Sequence, residues 1–153
     1  MRNYFFLSLS AVAYASESNP PNFPASVKVF TAATSPDEIS SAVNAAFAEN
    51  GGDPNTSCNN GEFSDSRFAF LFAPGSYSTD VPVGYYTSVY GAGASPYDVT
   101  FTGDRGVYCE EACGLFESGS LTTFWRSAEN FHTTSSYVWP TGEYKILCTQ
   151  LIK

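Results

Sequence analysis

The sequence has little charge, and positive charge least of all. Charged residues make up 14% of the 153 positions, with seven Lys and Arg against fifteen Asp and Glu, for a net charge of −8. No basic patch stands ready to neutralise a phosphate backbone, which argues against a nucleic-acid partner. The chain holds one histidine, His132, and its four cysteines form no CxxC pair, so no zinc set is expected. There is no G-x-S-x-G turn and no Ser–His–Asp set. Gly91-x-Gly93 lacks the third glycine and the following helix of a dinucleotide fingerprint. No metal and no cofactor are expected. No apolar run reaches transmembrane length.

What is present suits strands and turns. Hydrophobic residues make up 43% of the chain, too many for a disordered protein, and aromatic residues 16%. Tyr, Phe, Ser, Thr and Gly dominate. The N-terminus has the layout of a secretion signal: Arg2, an apolar run from Tyr4 to Tyr14, and Ala13-Tyr14-Ala15 before a cut at Ser16. Removal of residues 1–15 leaves a chain with no membrane segment, which predicts a secreted or extracellular product. Four cysteines in such a compartment favour disulfides. Cys109 and Cys113 close a small loop and are the first pair to consider; Cys58 with Cys148 is the other, with connectivity left open. Asn55-Thr56-Ser57 is a glycosylation sequon in a Gly- and Asn-rich loop.

Residues 16–26 are Pro- and Ser-rich and predict an extended leader. Val27 to Phe30 is a short strand. A helix over about 35–50 follows: Ser35 is the N-cap, Pro36 the first helical residue, and Glu38 completes a capping box. Ile39, Val43, Ala46 and Phe47 form one apolar stripe, and Asn50-Gly51-Gly52 ends the helix. Beyond residue 66 short strands alternate with Gly, Pro, Asn and Asp turns. They are Arg67–Phe72, the surroundings of Tyr77, Val81 and Val83, Tyr85–Tyr90, Asp98–Thr102, Val107-Tyr108, Leu121–Trp125 and Ala128–Phe131. Pro74-Gly75 is expected to turn the chain, and Pro82 to keep its strand short. An antiparallel sandwich or a parallel β-helix would each show this spacing.

Certain segments separate the two. FAFLFAPG at 68–75 followed by Ser76-Tyr77, then VPVGYYTSVYGAGASPYDVTFTG at 81–103, then FWRSAENF at 124–131, resemble the opening coils of pectin-lyase-like right-handed parallel β-helix proteins. The resemblance implies a mainly β solenoid over residues 27–132, with the helix capping its N-terminal end, and residues 133–153 as an atypical tail or cap. It implies a secreted protein acting on or near polysaccharide, hydrolase-like, with its catalytic coils missing or rudimentary. Two other readings stand beside it: a non-catalytic glycan-binding or surface module, and a truncated fragment. The negative charge favours a neutral glycan as partner. Oligomeric state is left open.

A glycosidase needs two carboxylates, about 5 Å apart for retention or roughly 6.5–9.5 Å for inversion. Asp98, Asp104, Glu110 and Glu111 are the acids to test, although turn acids commonly bond the backbone instead. Tyr85, Tyr86 and Trp125 are the carbohydrate-contact candidates. All three are expected on strands, where neighbours point to opposite faces, so one of Tyr85 and Tyr86 should face outward.

Overall fold

The computed structural model describes residues 21–52, 60–109 and 126–136. Its first strand, β1 (Val27–Phe30), leads through a short turn into α1 (Pro36–Asn50). Ser35 has extended backbone angles and its hydroxyl accepts the Glu38 N–H at 3.2 Å, satisfying one of the helix's unpaired donors. The reciprocal half of the expected capping box is not made: Glu38 instead lines a groove between α1 and the sheet. The predicted apolar stripe is buried at Ile39, Val43 and Ala46 and half-buried at Phe47.

The C-terminal end of α1 is anchored by one side chain. Asn50 is fully buried, and its amide donates to the carbonyls of Tyr85 (2.9 Å) and Ser66 (3.1 Å). Its own carbonyl accepts the Tyr85 N–H at 2.6 Å. One residue thus ties the helix to the bends that precede two later strands, and Gly52, at φ +113°, turns the chain away.

The remaining strands are β2 (Phe68–Phe72), β3 (Gly75–Tyr77), β4 (Val81–Pro82), β5 (Thr87–Gly91), β6 (Val99–Phe101), β7 (Val107–Tyr108), β8 (Ser127–Glu129) and β9 (His132–Thr133). Among the described residues they form three parallel sheets, ordered β1-β2-β5-β8, β3-β6-β9 and β4-β7. The chain visits the first sheet, then the second, then the third, and returns to the first beside the strand it left. From β2 to β7 the chain passes between these parallel sheets without an α-helix, and this rotation is a β-helix-like path. Between β1 and β2, where later turns place strands of the second and third sheets, α1 stands in their place and packs on β4.

Side-chain alternation then builds the core. Phe30, Phe70, Phe72, Val89, Val99 and Phe101 point inward and are almost wholly buried, and Ile39, Val43 and Ala46 of α1 join them. The Phe72 ring sits 5.1 Å from Phe30, 4.9 Å from Tyr77 and 4.8 Å from Phe101, so successive turns stack ring on ring. The corners are held by polar side chains. Asn130 adopts φ +57° after β8, and its amide donates to the carbonyls of Gly91 and Gly93, each at 2.8 Å.

Several expected boundaries move. Gly75 belongs to β3 instead of a turn with Pro74, because its inward position faces Val99 in the second sheet. The strand expected at Tyr85–Tyr90 starts only at Thr87, the one expected at Ala128–Phe131 is β8 and ends at Glu129, and β9 follows beyond it. Leu121–Trp125 lies outside the described residues.

Tyr77 carries a testable pH effect. Its ring is buried, its hydroxyl donates to the Ala73 carbonyl at 2.6 Å, and desolvation pushes its ionisation above the ordinary tyrosine range. An unfolded tyrosine loses its proton near pH 10, at roughly its reference value. Above that pH the unfolded chain binds fewer protons than the folded one, so stability falls as pH rises toward the folded-state ionisation. Urea unfolding at pH 9 and pH 11 should show the loss, and Tyr77→Phe should reduce it; equal pH dependence in the two proteins would remove Tyr77 as its source.

Candidate functional site

Strand alternation places two rows on the outside of the first sheet. Val27, Ala69, Ser88 and Ser127 are in register in one, and Val29, Leu71, Tyr90 and Glu129 in the other. Val29 is half exposed, Glu129 is exposed, and the Ser127 hydroxyl donates to the Tyr90 hydroxyl at 2.6 Å. The second sheet presents Ser76, Thr100 and His132 in one outward line. Beside it stands Tyr97, in a single 3₁₀ turn at Pro96–Asp98 that brings the chain into β6. Tyr97 is 76% exposed, and its ring centroid lies 5.2 Å from that of His132 at 46°. An exposed ring beside an imidazole, with the Thr100 and Ser76 hydroxyls in register with that imidazole on the next two strands, offers a flat apolar face at the end of a hydrogen-bonding row.

Two of the described acids serve the scaffold. Asp98 accepts the Ser95 N–H at 2.8 Å while the Ser95 hydroxyl accepts the Tyr97 N–H at 3.3 Å, a reciprocal cap that fixes the turn carrying Tyr97. Asp80 accepts the N–H groups of Arg105 and Gly106 from one oxygen, each at 2.9 Å. Asp104 is exposed, and its backbone carbonyl accepts the Ser135 hydroxyl at 2.5 Å. Among the described residues no group of three or more His, Cys, Asp and Glu is placed to hold a metal ion.

The two tyrosines singled out by sequence do not sit on a strand. Tyr85 is 2% exposed and offers no ring face to a ligand, which corrects its selection as a contact residue. Tyr86 precedes β5 at φ +56°, an uncommon conformation for a bulky residue, and is half-buried. Strand alternation therefore does not govern the pair. The Arg67 guanidinium lies 3.7 Å from the Tyr86 ring centroid, and the Tyr86 hydroxyl donates to the Glu62 carbonyl at 2.6 Å. Cys109 is buried at the end of β7. Asn55, Cys58, Glu110, Glu111, Cys113, Trp125 and Cys148 lie outside the described residues. Sequence reasoning passed over Tyr97, Tyr90 and Arg67; the Ser95-Pro96-x-Asp98 cap around Tyr97 was the signal available for the first.

The chain is 41% identical over 70 residues to an exo-β-1,3-glucanase of Streptomyces sp. (strain SirexAA-E / ActE), a match covering 45% of this chain and 11% of that one. This chain resembles one part of a glucanase. The solved structure of sacteLam55A from Streptomyces sp. SirexAA-E matches with a TM-score of 0.60 at 29% identity, covering 75% of this chain and 19% of that one. The chain therefore spans only about a tenth to a fifth of the length of these relatives. No protein-family profile matches it. These likenesses connect the chain to a carbohydrate-active protein, and they give no direct support to the pectin-lyase resemblance. They agree with a mainly β, β-helix-like fold of parallel sheets with one helix.

Proposed function

We propose that these residues are the first coils of a right-handed parallel β-helix, capped by α1, that holds a neutral β-1,3-linked glucan against its outer face within a polysaccharide-hydrolase-like protein. The observation that carries this reading is the exposed Tyr97 ring beside the in-register line Ser76, Thr100 and His132. A pyranose can lay its apolar C–H face on the tyrosine while its hydroxyls bond the neighbouring Ser, Thr and His groups. The likeness to a glucanase supports a β-1,3-glucan as the polymer. The net charge of −8 supports a neutral one.

Binding is the role these coils supply best, since Asp80 and Asp98 commit oxygens to backbone N–H groups. Asp104, with Glu110 or Glu111, is the set to test for hydrolysis, a second reading favoured by the glucanase likeness. The same proposal takes residues 1–15 as a cleaved secretion signal, pairs Cys109 with Cys113, and treats Asn55 as a glycan acceptor.

Titration of the protein with a laminarin oligosaccharide tests it. Tyr97→Ala should weaken binding about tenfold, the loss expected for removing one stacked ring worth about 1–1.5 kcal/mol, and Tyr97→Phe should retain it. Unchanged affinity in Tyr97→Ala would remove the second sheet as the glucan surface. Release of reducing sugar by the wild-type protein, abolished in Asp104→Asn, would favour the hydrolytic reading instead.

A further inference from the structure

Half of the described cations share one place. Of the four Lys and Arg among the described residues, Lys28, Arg67, Arg105 and Arg126, two line a single recess of about 190 Å³ on the outer face of the first sheet, at the starts of its strands. Tyr86, Ser26 and Ser88 line it as well, Val27, Phe68 and Ala69 give it an apolar floor, and no acid is among its lining residues. We propose that this recess binds the anionic group of a sugar, a carboxylate or a sulfate, and that it is a site separate from the Tyr97 surface.

The two guanidiniums are presented differently. Arg67 is fixed: one of its terminal nitrogens donates to the carbonyls of Ser64 (2.7 Å) and Ser66 (2.8 Å), and its plane lies against Tyr86. A guanidinium has five N–H donors in a rigid fork, so donors remain after these bonds are made. Arg126 is anchored through its backbone N–H to the Thr87 carbonyl at 2.9 Å, while its exposed guanidinium makes no hydrogen bond or ion pair with the described residues. An oxyanion placed between them meets one pre-organised fork and one that is free to close on it. Glu49, which lines a neighbouring recess, is bonded to the Ser66 hydroxyl.

Tyr86 supplies the reason to expect a sugar on that anion. Its backbone holds an unfavourable left-handed conformation, its ring is covered on one face by Arg67, and its hydroxyl is tied to Glu62. The ring is thereby locked at the recess, which Ser26 and Ser88 also line. A locked ring, two hydroxyls and two guanidiniums match the ring, hydroxyls and charged group of a uronic acid or a sulfated hexose. The net charge of the protein repels such ligands at long range, but a local pair of forks at contact distance outweighs a field screened beyond about 8–10 Å.

Calorimetric titration of the full chain in about 0.15 M salt, where the long-range field is screened, with glucuronic acid, glucose 6-sulfate, glucose and inorganic sulfate in turn, tests the assignment. Binding of glucuronic acid or of glucose 6-sulfate, at least about tenfold tighter than glucose and inorganic sulfate, is the expected result; which of the two wins identifies the source of the charge. Arg126→Gln, an exposed substitution outside the core, should weaken that binding about tenfold without altering the circular dichroism spectrum. Arg126→Lys should restore part of it. Tyr97→Ala should leave it unchanged, so failure here and failure of the glucan surface are separate outcomes. Equal affinity for glucose and the charged sugars, inorganic sulfate binding as tightly as they do, no binding of either charged sugar, or full affinity in Arg126→Gln would each overturn the proposal.

Discussion

Phe72→Ala should destabilise the protein by about 3–5 kcal/mol, lowering its melting temperature by about 10–20 °C. Phe72 is fully buried and touches the rings of Phe30, Tyr77 and Phe101, which belong to the first sheet's edge strand and to two successive strands of the second. Removing it takes away the apolar area it buries and leaves a hole bounded by strands on different turns, which cannot collapse without breaking ladder hydrogen bonds. Phe72→Leu should recover a large part of the loss, because most of the volume returns. Thermal unfolding followed by circular dichroism reads both. A shift of less than about 3 °C for Phe72→Ala would mean that the ladders alone hold the turns together.

Gly91→Ala should have an effect of similar size from a single added methyl group. The new Cβ would lie 1.9 Å from the Asn130 carbonyl oxygen and 2.8 Å from its carbon, both backbone atoms of the next turn. No side-chain rotation relieves such a contact, so the corner around Asn130 must move away. That movement breaks the Asn130 amide bonds to the Gly91 and Gly93 carbonyls. Overpacking and two lost hydrogen bonds together amount to about 3–5 kcal/mol. Hydrogen exchange should localise the damage. The amides of Arg126 and Thr134, which donate to the Thr87 and Phe101 carbonyls, should lose protection, while the ladder between β1 and β2 keeps it. Ala92→Ser, one residue away on an exposed position, should change stability by no more than about 0.5 kcal/mol. Loss of protection spread evenly through the chain would show that the turns unfold as one unit.

The elements differ in how far they could be read beforehand. The helix was legible because its signals are local. Ser35, Pro36 and the Ile39–Val43–Ala46 stripe act within a few turns of one another, and Pro36–Asn50 follows from them. Phe68–Phe72 was legible as a buried strand from its apolar run. Tyr85 and Tyr86 were misread because strand alternation was applied one turn too early. The Asn50 carbonyl captures the Tyr85 N–H, Tyr86 swings to positive φ, and the strand begins only at Thr87. Asp98 was placed among the candidate acids when its oxygen is needed to cap the turn that exposes Tyr97.

The sequence by itself determined the strand-and-turn character of the chain, its one amphipathic helix, the scarcity of cations and the absence of dinucleotide and zinc motifs. Those properties depend on composition and on spacings within a dozen residues. The tertiary structure alone decided which rings face outward, which acids are spent on backbone N–H groups, and that Arg67 and Arg126 line one recess. Each depends on the register between strands of successive turns, set by core packing of residues far apart in the chain. A one-residue change in that register reverses every inward and outward side chain on a strand, and no local spacing encodes it.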